Sequence, residues 1–249
     1  MGCDIHIMVE SKIDGQWFVK SGVNESRLNR YKEMLEDVKR NPDGNHGHLT
    51  KEYIEGRITE ESKVVYQDWI YDGRNYDLFA ILADVRNGRG FAGAKTGEGF
   101  IPISNPRGVP DDASAVYKNW VEEWDGDGHS HSFHTVRQLV EYPHWDNGAI
   151  QFGIVSESEY KVFKEQGIPN SYCSYCSGGG VVHITNQEMD DVINGSYPIK
   201  DGAEYHTRVQ WKEGYRDAAG NFYTESIPRL KELAGDDLDS VRIVFFFDN

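Results

Sequence analysis

The chain has 249 residues, 38% hydrophobic and 27% charged, with a net charge of -15 and a mean hydropathy of -0.64. That length buries a sizeable core in one large domain or two small ones, and so acidic a balance argues against broad nucleic-acid binding, because it repels a phosphate backbone at long range. No apolar run reaches the length of a membrane span, and the start, MGCDIH, lacks the basic-then-apolar pattern of a secretory leader.

In chain order, CDIHIMVE (3–10) alternates as a strand and QWFVK (16–20) as a second, with IDG between them as a hairpin turn. SRLNRYKEMLEDVKR (26–40) reads as a charged helix ending at the turn-rich NPDGNHGH, and residues 50–66 are ambiguous, with room for a short helix. In YDGRNYDLFAILADVRNG, Leu78, Ile81, Leu82 and Val85 recur at helical spacing, and Gly88 is a natural C-terminal cap. Residues 87–110 read as a long ordered loop, PDDASAVYKNWVEEW as a helix, DGDGHSHS as a second loop and TVRQLVEY as a short helix. SESEYKVFKEQG has a capping box at Ser156 and stops at Gly167. VVHIT and residues 203–211 read as strands, NQEMDDVING and SIPRLKELAG (capped by Ser226) as helices, and SVRIVFFFDN as a terminal strand. The expectation is a single α+β domain with a mixed or antiparallel sheet that includes both terminal strands.

Four groups of residues can carry chemistry. On the first strand Cys3, Ile5, Ile7 and Val9 share one face, while Asp4 and His6 stand side by side on the other with Met8 and Glu10. A carboxylate and an imidazole at that spacing can share one metal ion. DGDGHSHSFH places Asp125, Asp127, His129, His131 and His134 within one short stretch, and in an extended chain His129 and His131 share a face. The third group is Cys173-x-x-Cys176. Three cysteines fit a reducing compartment, and Cys3 and His183 are the residues available to complete a structural metal site with that pair. A redox pair or two ordinary thiols are the other readings. The fourth group is arginine: Arg74, Arg86 and Arg107 are candidates to clamp a phosphate or carboxylate, or else to pair with acids such as Asp77 and Asp84. Asp248, at the end of the terminal strand, joins a site at the sheet edge or frays.

MGCDIH, YDLFAILADVRNG, RGVPDD, HSHS and the terminal VRIVFFFDN together resemble a family of bacteriophage- and prophage-encoded proteins that brings no established activity. The resemblance covers both ends and roughly residues 74–140, leaving 24–66 and 150–235 as family-variable insertions. It implies work in the cytoplasm of an infected bacterium, where small phage proteins modify nucleotides or counter host defence. The residues themselves point to a metal-dependent hydrolase acting on a small phosphorylated or nucleotide-like molecule. In that reading Asp4, His6, His129 and His131 hold a divalent transition metal, zinc or manganese. Asp127 supports the metal ligands, bridges to the metal or acts as general base, His134 protonates the leaving group, and Arg74, Arg86 and Arg107 orient the anionic substrate, with Arg86 also stabilising charge on it. The alternatives are a non-catalytic protein that sequesters a nucleotide-type signal and an acidic mimic of nucleic acid. The expected partner is a small anionic molecule, with no membrane; self-association is compatible with each reading.

Overall fold

The computed structural model describes residues 2–42, 47, 49–90 and 93–248. The first elements are strands β1 (Ile5–Ile13) and β2 (Gln16–Lys20) and helices α1 (Glu25–Arg40), α2 (Lys51–Glu61), α3 (Tyr76–Ala83) and α4 (Ala115–Glu123). Next come β3 (His129–Thr135), α5 (Val136–Val140), β4 (Gly148–Ser156), α6 (Glu157–Gln166), β5 (Val181–Ile184) and α7 (Asn186–Ile193). The chain closes with β6 (Glu204–Gly214), α8 (Tyr215–Ala219), a π-helical turn at Phe222–Ser226, α9 (Ile227–Ala234) and β7 (Val241–Phe247). The fold is α+β, and its contacts group the chain into two compact units.

One unit comprises residues 2–74, 106–141 and 221–248. Its sheet has the order β2-β1-β7-β3, and every pairing is antiparallel. The two terminal strands are direct neighbours, with His6 opposite Phe246 and Glu10 opposite Arg242. The β1–β2 turn has Asp14 at φ 49° and Gly15 at φ 82°, both left-handed as a two-residue hairpin turn requires. Both sheet faces are covered. Met8, Val244 and Phe246 pack under Tyr117 and Trp120 of α4, so the strand face that carries Asp4 and His6 is mostly core rather than solvent-facing.

That helix is held in place by an ion pair. Glu10 is fully buried and accepts from Arg242 Nε at 2.8 Å and from the Ser114 backbone N–H at 2.8 Å. Arg242 also donates to Asp112 at 2.8 Å and lies 3.9 Å over the Trp17 ring, while Trp17 donates to Asp112 at 2.9 Å. Ser114 in turn caps α4, accepting from the Tyr117 N–H. A charge this deep is tolerated because each oxygen of Glu10 has a donor.

The other unit comprises residues 75–105 and 142–220. Its sheet, β4-β6-β5, is mixed: β4 runs antiparallel to β6, and β5 parallel to it. Its core gathers Val155, Tyr160, Met189, Val192, Tyr205, Val209 and Trp211.

Several local expectations are corrected. The helix expected to run to a Gly88 cap ends at Ala83, because Asp84 itself adopts the left-handed cap (φ 59°). HSHS is strand β3 rather than loop, drawn into the sheet by pairing with β7. Ser226 does not cap α9; its hydroxyl donates to the Ile70 carbonyl at 2.7 Å and the π-helical turn runs straight into the helix. Strand β4, in which Ile150, Phe152 and Ile154 alternate, and helix α8 add to the elements expected from sequence, and most of the NPDGNHGH stretch lies outside the described residues.

Candidate functional site

Asp4 and His6, at the start of β1, face one cleft. It has a volume of about 470 Å³ and is lined by Asp4, His6, Asn24, Arg27, Glu61, Gln67, Asp68 and Asp72, among others. Asp4 stands just before β1, where the chain ends are laced together: its N–H donates to Asp248 Oδ1 at 2.8 Å, and the Asp248 N–H returns a bond to its carbonyl at 3.1 Å. Asp68 is placed by an isolated bridge to β1. Its N–H donates to the Ile7 carbonyl, its carboxylate accepts from the Ile7 N–H at 2.8 Å, and its backbone is left-handed (φ 53°). Asn24, which caps α1, holds the Asp68 carbonyl at 3.0 Å.

The result is a histidine between two carboxylates. His6 Nε2 is 3.3 Å from Asp248 Oδ2, and Nδ1 is 3.7 Å from Asp68 Oδ2. The ring stacks on Phe246 at 5.1 Å and meets Trp124 at 4.3 Å and Trp120 at 5.9 Å. Burial by itself disfavours the imidazolium, but Asp68 and then Asp248 outweigh it, so the pKa of His6 is raised and the charged ring is favoured. Asp4 is held below the usual carboxylate range by hydrogen bonds from Arg74, against the opposing effect of burial. That contact is bidentate, at 2.6 and 2.5 Å. On the far wall Arg27 pairs with Asp72 and, at 3.8 Å, with Glu61.

The histidines of β3 are arranged differently from the sequence expectation. The β3–β7 register shifts between His129 and Ser132, with Ser130 in the left-handed region (φ 52°). This bulge turns His129 and His131 to opposite faces: His129 lies over Phe247 at 6.2 Å, and His131 over Phe246 at 5.2 Å. His131 therefore shares Phe246 with His6, and burial keeps its pKa low, against a backbone bond to Gly128 that works the other way. His134 is fully buried against Phe245 on the His129 side, and Asp127 is exposed before the strand. Among the described residues no three His, Cys, Asp or Glu side chains are grouped as a metal cage.

Arg74 and Arg107, which share one unit, have separate partners. Arg74 is engaged by Asp4. Arg107 lies over Phe133 at 5.2 Å and donates to the Phe133 carbonyl and Gln138. Arg86 belongs to the unit with the mixed sheet, where it lies over Tyr76 at 5.5 Å. Cys3 is fully buried at the foot of β1, whereas Cys173, Cys176 and His183 are in the other unit. Sequence reasoning missed Asp68 and Arg27. Neither carries a local signal, because each reaches the cleft through contacts distant in sequence. No family model, curated protein or solved structure matches this chain.

Proposed function

We propose that the protein is a hydrolase of a small phosphorylated or nucleotide-like molecule and that the His6 cleft is its site. The observation that carries the reading is the His6 ring, held by Asp68 and Asp248 and opening onto a cleft that also presents Arg27. The imidazolium donates its Nδ1 proton to a departing oxygen by giving up the longer, 3.7 Å contact with Asp68, while the Nε2 contact with Asp248 fixes the ring's orientation. Arg27 turns toward an anionic group by exchanging a contact with Asp72 or Glu61. The cleft lining has four carboxylates (Asp4, Glu61, Asp68 and Asp72) against the cations Arg27 and His6. A divalent cation such as zinc or manganese accompanying a phosphate would offset that excess, with the cleft carboxylates as the residues to hold it.

The test is a panel of nucleotides and small phosphate esters, assayed with zinc and with manganese, for wild type, His6→Gln and Asp68→Asn. Loss of the general acid should lower kcat by about 10²–10⁴-fold with little change in KM, and Asp68→Asn should lower it less. Turnover that survives His6→Gln overturns the assignment. Saturable nucleotide binding without turnover replaces it with sequestration.

A further inference from the structure

Residues 173–176 read Cys-Ser-Tyr-Cys, and the proposed hydrolysis uses none of them. The stretch is fastened at three points. Cys173 exchanges both backbone hydrogen bonds with Ile154 of β4, at 3.0 and 2.9 Å. Ser174 packs so closely on Gly90 that a Cβ there would lie 2.8 Å from the serine Cβ. His183 Nε2 donates to the Cys176 carbonyl at 2.9 Å. The two cysteines stand three residues apart on this one fastened turn, and the Cys173 side chain acts on the Cys176 thiol. Both are partly exposed, and among the described residues no third Cys, His, Asp or Glu joins them to complete a metal cage.

We propose that Cys173 and Cys176 form a reversible disulfide, a redox site that exchanges with small disulfides such as oxidised glutathione. Two adjacent, accessible sulfurs without a third donor suit an S–S bond better than a metal. Burial and then Cys173 push the Cys176 thiol up, which suits the resolving role, and the first attack is assigned to Cys173. The Cys173 thiolate attacks one sulfur of glutathione disulfide, whose S–S bond breaks and releases one glutathione thiolate, which takes up a proton. Cys176 then loses its proton and attacks the Cys173 sulfur of the mixed disulfide, and the second glutathione leaves. Two protein thiols give up two electrons and two protons, and one glutathione disulfide becomes two glutathione thiols.

The experiment equilibrates the full chain in glutathione buffers of increasing oxidised fraction, quenches in acid, alkylates the remaining thiols after denaturation and maps them by mass spectrometry. Cys173 and Cys176 should lose their label together in one transition, with a mass loss of about 2 Da and no bound glutathione. The fully buried Cys3 should stay labelled, and dithiothreitol should restore all three thiols. Cys176→Ser, which removes the resolving thiol, should instead hold one glutathione on Cys173. The proposal is overturned if wild type keeps both labels, loses them at separate potentials or retains glutathione. It is overturned equally by one equivalent of zinc that is lost in Cys173→Ser.

Discussion

Replacing Glu10 with methionine probes the ion pair that anchors the helix over His6. Methionine nearly matches the length and volume of glutamate, so the change opens little space. It does leave the Arg242 guanidinium, 3% exposed, with only Asp112 and the Trp17 face, and it strips the Ser114 N–H of its acceptor. Removing one partner of a buried pair costs about 3–5 kcal/mol. An unsatisfied buried N–H costs a further 1–3 kcal/mol or so when it stays dry. The Asp112 side chain is 64% exposed, so water reaches that end of the network and the low end of the sum applies, about 4 kcal/mol. For a chain of this length that is a fall in Tm of roughly 8–16 °C. The assay is urea and thermal unfolding followed by tryptophan fluorescence, for which Trp17 is well placed. Glu10→Met combined with Arg242→Met should recover at least about 2 kcal/mol, since an apolar pair leaves no unpaired charge. A Glu10→Met cost below about 1 kcal/mol, or a double variant no more stable than Glu10→Met, would refute the reasoning.

Two pH dependences follow from the same electrostatics. The pKa of His6 is raised on folding, so its contribution to stability is fully present below the unfolded imidazole value and is lost as pH rises through the folded value. The gap in unfolding midpoint between wild type and His6→Gln should therefore narrow from mildly acidic to alkaline pH; a gap that stays constant contradicts the assignment of His6 as the charged partner of Asp68 and Asp248. In the other unit, burial and then the charge of Glu213 push the Asp77 carboxyl up to about 6, while a bond from Gln151 pulls the other way. Folding favours the protonated acid, so this contribution is lost as pH rises from the usual carboxylate range through about 6. Asp77→Asn should unfold at a higher urea concentration than wild type at neutral pH and lose that part of the pH dependence, and a less stable variant at pH 7 would count against the burial argument.

Local chemistry made many of the elements legible. Thr135 and Gln138 form a capping box on α5, Ser156 caps α6, Gly167 ends it in the left-handed region, and the alternation of 3–10 and the near-continuous apolar run of 241–247 produce strands. Each signal works within a few residues, through hydrogen bonds the chain makes with itself. The pairing of Asp4 with His6 was legible for the same reason, since alternation on a strand puts them on one side.

What surrounds them was decided by tertiary structure. Asp248 meets His6 because β7 pairs with β1 in one register, Asp68 because a left-handed residue bridges to Ile7, and Arg27 because α1 stands across the cleft. A bulge at Ser130 separates two histidines that alternation would keep together. Glu10 could be read from sequence as a surface acid, yet it is fully buried because Arg242, more than two hundred residues away, brings a matching charge. The sequence by itself determined many of the helices and strands, though not β3, β4 or α8, and that an acid and a histidine stand together at the first strand. Only the tertiary structure determined their partners, because a charge or a hydrogen bond acts across space on whatever the fold brings near, and periodicity along the chain carries no record of that.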